Sequence, residues 1–188
     1  MELFNYVMVL VSIIIGLAIT HLLKGVARVV QHPGRDKIYW IHLVWVGNAF
    51  LGAVFFWWWE FRLAEQAWTF QLYLFVLFYA VLIYLRSAIL FPLDLEGYDG
   101  FRDYYYSRRG WGFGLAALQV AVDVIDTLLK GMAYFTSLSV GYPIASAVLF
   151  LLFVIAAITR NERFHGAFGI SLLLYQLYIA QSLYSQLS

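Results

Sequence analysis

Six long apolar stretches alternate with short polar ones along the chain, at 3–23, 38–59, 68–91, 111–130, 142–159 and 164–184. A helix needs about 20 residues to cross a hydrocarbon core of about 30 Å, and each stretch meets or approaches that length. The pattern predicts an all-α, polytopic membrane protein: one domain, 1–188, of six transmembrane helices. The fifth stretch is the shortest and most uniformly apolar, which predicts a lipid-facing helix. Pro143 falls in its first turn, where a missing N–H costs nothing. Between the first two stretches, His32-Pro33-Gly34 predicts the turn of a helical hairpin. Pro92 ends the third stretch, and Asp99 is placed to cap the helix after it.

Composition strengthens this picture. The chain is 63% hydrophobic and 12% charged, against about 45–50% and about 25% in soluble domains. It has no cysteine, so disulfides, thiolate catalysis and Cys-ligated metals are excluded. A net charge of +1 gives no basis for a nucleic-acid partner. The first residues, Met-Glu-Leu-Phe-Asn-Tyr, lack the basic start and cleavage site of a secretory signal, so the first stretch is expected to stay in the protein as a helix.

Cations set the expected orientation. Sorted over alternate loops, Lys24, Arg28, Arg35, Lys37, Arg86, Arg102, Arg108, Arg109, Arg160 and Arg163 fall on one side, and Arg62 and Lys130 on the other. Basic loops stay cytoplasmic, so both termini are expected outside. In a bacterium this places the chain in the inner membrane. The aromatic and basic segment 101–109 suits a helix at the headgroups or one leading into the fourth span; tyrosine and arginine there are anchors first, and the same composition suits anionic lipid. Trp57, Trp58 and Trp59 form an interfacial belt. Glu60, Arg62 and Glu65 follow it, on the side of Asp126 and Lys130, which allows a charged outer vestibule.

Candidate chemistry centres on the fourth span. Gln119, Asp123, Asp126, Thr127 and Lys130 share one helical face, a polar stripe on an otherwise apolar helix. Asp126 and Lys130, at i and i+4, suit a structural ion pair with the lysine reaching outward. Asp123 lies one turn deeper, about 18 Å from Trp111, where a carboxylate needs protein, water or a counter-charge. Asn48 and Gln176 are its expected neighbours, and Ser12, Gly16 and Thr20 form a small-residue line for close helix approach. Spans one, two, four and six are thereby expected to make the polar interior, with three and five peripheral. Two functions fit: an ion- or proton-linked channel or transporter using Asp123 and Asp126, with Lys130 and Gln119 tuning them, or a non-catalytic scaffold or accessory subunit in which the stripe is a contact. A bundle this small predicts a homo-oligomer or a membrane partner subunit.

The remaining motifs argue for little chemistry. His21 and His42, near matched depth, are the one pair that could serve a haem b or a metal; ordinary interfacial histidines are the simpler reading, so no cofactor is expected. Arg86 suits an anchor reaching the inner surface. No hydrolase triad, zinc-protease motif or phosphate-binding glycine loop occurs, so nothing argues for an enzyme. Leu22-Leu23-Lys24-Gly25-Val26-Ala27 is echoed by Leu128-Leu129-Lys130-Gly131-Met132-Ala133, a short match of the kind an inverted repeat leaves.

His21-Leu22-Leu23-Lys24-Gly25, Tyr39-Trp40-Ile41-His42-Leu43-Val44-Trp45, the tryptophan cluster, Leu90-Phe91-Pro92 and Asp103-Tyr104-Tyr105-Tyr106 together resemble small multi-pass proteins of bacterial inner membranes. The resemblance spans most of the chain and implies no activity and no site residues.

Overall fold

The computed structural model describes residues 2–32, 34, 37–138 and 140–187, and of these the side chains of all but 2 and 183–187. Seven helices follow one another: α1 (Glu2–Gln31), α2 (Trp40–Trp59), α3 (Phe70–Leu90), α4 (Phe101–Leu129), α5 (Met132–Ser137), α6 (Gly141–Ile158) and α7 (Glu162–Leu187), with a 3-10 turn at Glu60–Glu65 after α2. There is no strand among the described residues. Five segments are long and apolar enough to cross a membrane: Leu3–Gln31, Trp40–Glu65, Phe70–Leu90, Phe101–Leu129 and Gly141–Ile158. α7 is not one of them; His165, Gln176 and Gln181 make it more polar.

Several helices depart from their expected limits. α1 runs to Gln31 instead of stopping at residue 23, and Pro33 of the expected turn lies outside the described residues. α4 begins at Phe101, so the aromatic and basic segment is its first turns and continues unbroken into the polar stripe. At 29 residues and about 1.5 Å each, α4 is about 43 Å long, more than a hydrocarbon core requires. Asp99 does not cap it. Gly100 holds that position at φ 104°, a conformation that favours glycine. Asp99 instead pairs with Lys37 at 2.5 Å, and its N–H donates to Asp103 Oδ2 at 3.4 Å.

Two apolar cores stack along the bundle. In one, Val7, Val11, Ile15 and Ala18 recur at helical spacing on α1 and pack with Val76, Ala80 and Ile83 of α3 and Phe56 of α2. The expected small-residue line is not the buried one: Gly16 and Thr20 are exposed, while Ser12 accepts a hydrogen bond from Trp57 Nε1 at 3.0 Å. Small size does not decide the face here, because the apolar line beside it buries more surface. The second core is aromatic. Trp45 meets Phe113 at 4.7 Å and Phe168 at 5.1 Å between ring centroids, in the edge-to-face geometry that aromatic quadrupoles favour. α6 buries only Phe153 and Ala156 and packs chiefly on α4.

Candidate functional site

The buried acids and lysine, Glu60, Asp126 and Lys130, gather where the C-terminal ends of α2 and α4 meet. α4 stops at Leu129 because Gly131 turns the backbone to φ 119°, and this leaves Lys130 at the helix end. The lysine does not reach outward. Its Nζ donates to Glu60 Oε1 at 2.8 Å and to Asp126 Oδ2. The three side chains are 5%, 1% and 2% exposed for Lys130, Glu60 and Asp126. The Lys130 carbonyl is held by Gln66 Nε2 at 2.9 Å. Glu60 thus leaves the expected vestibule for the interior, while Arg62 and Glu65 stay exposed, Arg62 lying 4.5 Å above the ring of Tyr134.

Two acids face one base in this cluster. Glu60 Oε2 and Asp126 Oδ1 are buried and receive no N–H or O–H donor from a neighbouring side chain or backbone group. The arrangement can therefore hold one exchangeable charge beside a fixed ammonium.

Asp123, one turn away, is clamped separately. Its Oδ1 accepts from the Tyr79 hydroxyl at 3.1 Å and its Oδ2 from the Tyr142 hydroxyl at 2.9 Å. Thr127 Oγ1 donates to the Asp123 carbonyl at 2.9 Å and lies 2.8 Å from the Tyr142 hydroxyl. The donors come from α3 and α6, the two spans expected to be peripheral. Removing one donor with Tyr79→Phe is expected to lower stability by about 0.6 kcal/mol, and by no more than about 1.7, as for other hydrogen bonds between membrane helices. Unfolding in mixed detergent and denaturant would measure it, and a loss well above that range would mean Asp123 depends on Tyr79 alone.

The other predicted residues separate into distinct sites. Gln119 accepts from Arg86 Nη1 at 3.0 Å, so Arg86 turns into the bundle instead of running to its surface. Asn48 Nδ2 donates to the carbonyls of Val44 at 2.9 Å and Gly169 at 3.0 Å, joining α2 to α7. That approach is open because Gly169 has no side chain: a Cβ there would meet Val44 Cγ1 at 3.1 Å. Gln176 Nε2 points to the Asn48 carbonyl at 3.4 Å. Neither amide touches Asp123.

His21 and His42 both serve the end of α3. Where Pro92 stops that helix, its last carbonyls lack intrahelical donors. His42 Nε2 donates to the Leu90 carbonyl at 2.6 Å and His21 Nε2 to that of Phe91 at 2.9 Å. A third histidine, His165, carries no local signal in the sequence. His165 Nε2 donates to the Thr159 carbonyl at 3.1 Å, which leaves Nδ1 to accept from the buried Tyr105 hydroxyl at 2.8 Å. No group of three or more metal-ligating side chains occurs among the described residues.

No protein-family model, curated protein or solved structure matches the chain.

Proposed function

We propose that this is an integral protein of a bacterial inner membrane, with α7 as the sixth span, both termini outside and the basic loops cytoplasmic. The division of cations, ten against two, supports this orientation. Its function is ion- or proton-linked transport, as a small channel or carrier, and the exchangeable charge sits between Glu60 and Asp126. One observation carries this reading: two buried carboxyls share a single lysine, with Glu60 Oε2 and Asp126 Oδ1 lacking other donors. One lysine between two acids leaves one negative charge for a proton or small cation to neutralise. Intramembrane ionisable groups so arranged are what proton and ion pathways use. Asp123 is then a neighbour that biases the cluster, and Gln119 tunes a different region.

A second reading is a scaffold or accessory subunit, in a homo-oligomer or with a membrane partner. The double tyrosine clamp on Asp123 favours it, because that carboxylate has its hydrogen bonds without any ligand.

Proteoliposomes separate the two. Under a pH gradient or a sodium or potassium gradient, the parent is expected to dissipate the gradient faster than empty vesicles. Glu60→Gln and Asp126→Asn should each slow it about tenfold or more, the effect of removing a buried charge worth at least about 1.4 kcal/mol to the pathway. A parent no faster than empty vesicles, or variants as fast as the parent, would sink the transport reading. The scaffold reading predicts no flux but an altered particle mass by light scattering in the same variants.

A further inference from the structure

The surroundings of Glu60 and Asp126 separate a proton from a metal ion. Sodium and potassium enter a protein by exchanging their hydration shell for a ring of protein oxygens. The cluster offers few of these. Glu60 Oε1 and Asp126 Oδ2 already accept from Lys130 Nζ, which leaves Glu60 Oε2 and Asp126 Oδ1. The carbonyls at the end of α4 are engaged as well: that of Asp126 accepts from the Lys130 N–H at 3.0 Å, that of Leu128 from the Gly131 N–H at 3.1 Å, and that of Lys130 from Gln66 Nε2 at 2.9 Å. No third acid or histidine completes a metal-binding group among the described residues.

A metal ion would also meet a charge of its own sign. The Lys130 ammonium lies 2.8 Å from Glu60 Oε1 and pairs with Asp126 Oδ2, in the place that a cation bridging the two carboxylates would take. A proton needs neither the ring of oxygens nor that place. It forms one O–H bond, on Glu60 Oε2 or Asp126 Oδ1, takes the three side chains from one net negative charge to none, and turns the acid into a donor. Asp123, one turn along α4, has both oxygens accepting from hydroxyls, those of Tyr79 on α3 and Tyr142 on α6. Its hydrogen bonds exclude a metal ion in the same way, whereas O–H groups exchange protons.

We propose that the species exchanged at Glu60 and Asp126 is a proton, and that sodium and potassium do not bind there. The proposal rests on the reading of these two acids as the exchangeable site.

Infrared difference spectroscopy of the full chain in detergent, between alkaline and acidic buffer, tests it without transport. Acidification is expected to produce the C=O stretch of a protonated carboxyl, shifted in D2O. Glu60→Gln and Asp126→Asn should each abolish that band, since one acid beside one lysine leaves no charge to neutralise. Asp99→Asn, at an exposed acid, should leave it in place. Replacing N-methylglucamine by sodium or potassium at equal ionic strength should change the proton affinity of the parent by less than about twofold, a comparison that stands even if the variants fail to fold. A band that is absent, or one whose midpoint falls to lower pH as sodium or potassium rises, would overturn the proposal. In proteoliposomes the parent should collapse a pH gradient equally well with N-methylglucamine as the only other cation. A requirement for sodium or potassium would overturn the proton and leave transport standing; a parent that moves nothing but keeps the band would overturn transport and leave the proton site standing.

Discussion

Lys130→Met is expected to destabilise the folded protein by about 3–5 kcal/mol, the range for removing one partner from a buried ion pair. Methionine keeps most of the volume, so the loss isolates charge. Glu60 and Asp126 would be left facing each other without the ammonium that both accept from. The two carboxyls lie beyond the reach of other donors at Glu60 Oε2 and Asp126 Oδ1, so they have no local substitute. Unfolding followed by circular dichroism in detergent would show the fall directly. Combining Lys130→Met with Glu60→Gln and Asp126→Asn should recover most of it, because uncharged groups of similar shape no longer need the lysine. A change below about 1 kcal/mol in the single variant would place the cluster in contact with water and weaken the case for a buried site.

The second large effect is steric. Gly25→Ala should cost about 1–3 kcal/mol, the usual range for an added methyl in a filled core. A Cβ at Gly25 would lie 2.2 Å from Phe91 Cδ2 and Cγ. Phe91 has little room to retreat: it is 2% exposed, with its ring edge-on to His42 at 4.9 Å and to Phe101 at 5.7 Å. Moving it would also disturb the loop whose carbonyls His21 and His42 hold. Gly16→Ala on the same helix is the control. A Cβ there meets nothing within 4 Å, and alanine's better helix propensity should raise stability by up to about 1 kcal/mol. Thermal unfolding of the pair decides the matter; equal behaviour would show that Phe91 yields.

These two sites mark what the sequence could and could not convey. Long apolar runs made the helices legible, and i, i+4 spacing alone joined Asp126 to Lys130. Glu60 was visible as a charge at the same end of the bundle, but its burial depends on packing between elements 70 residues apart. No local period encodes that. Tyr79 carried a faint signal, since it sits between Val76 and Ile83 on the buried face of α3, where a hydroxyl needs an acceptor. Tyr142 carried none, since the start of α6 suits any interfacial tyrosine. Arg86 misled because an arginine near a span's end normally extends outward, whereas here Gln119 and the Phe153 ring, 5.6 Å from the guanidinium, draw it inward. The echo between 22–27 and 128–133 also ends at the residue level. Gly25 lies inside a continuous helix and makes room for a ring, whereas Gly131 breaks one.

The buried cluster also has a history within each molecule's synthesis. Glu60 leaves the ribosome 70 residues ahead of the lysine it pairs with. At about 5–20 residues per second, that is a wait of about 4–14 s. An acid in the middle of α2 would spend that time in hydrocarbon without a counter-ion. At the end of α2 it can stay hydrated until α4 arrives. The order in which the chain emerges, as much as the finished packing, favours a carboxylate at the end of α2 over one at its centre.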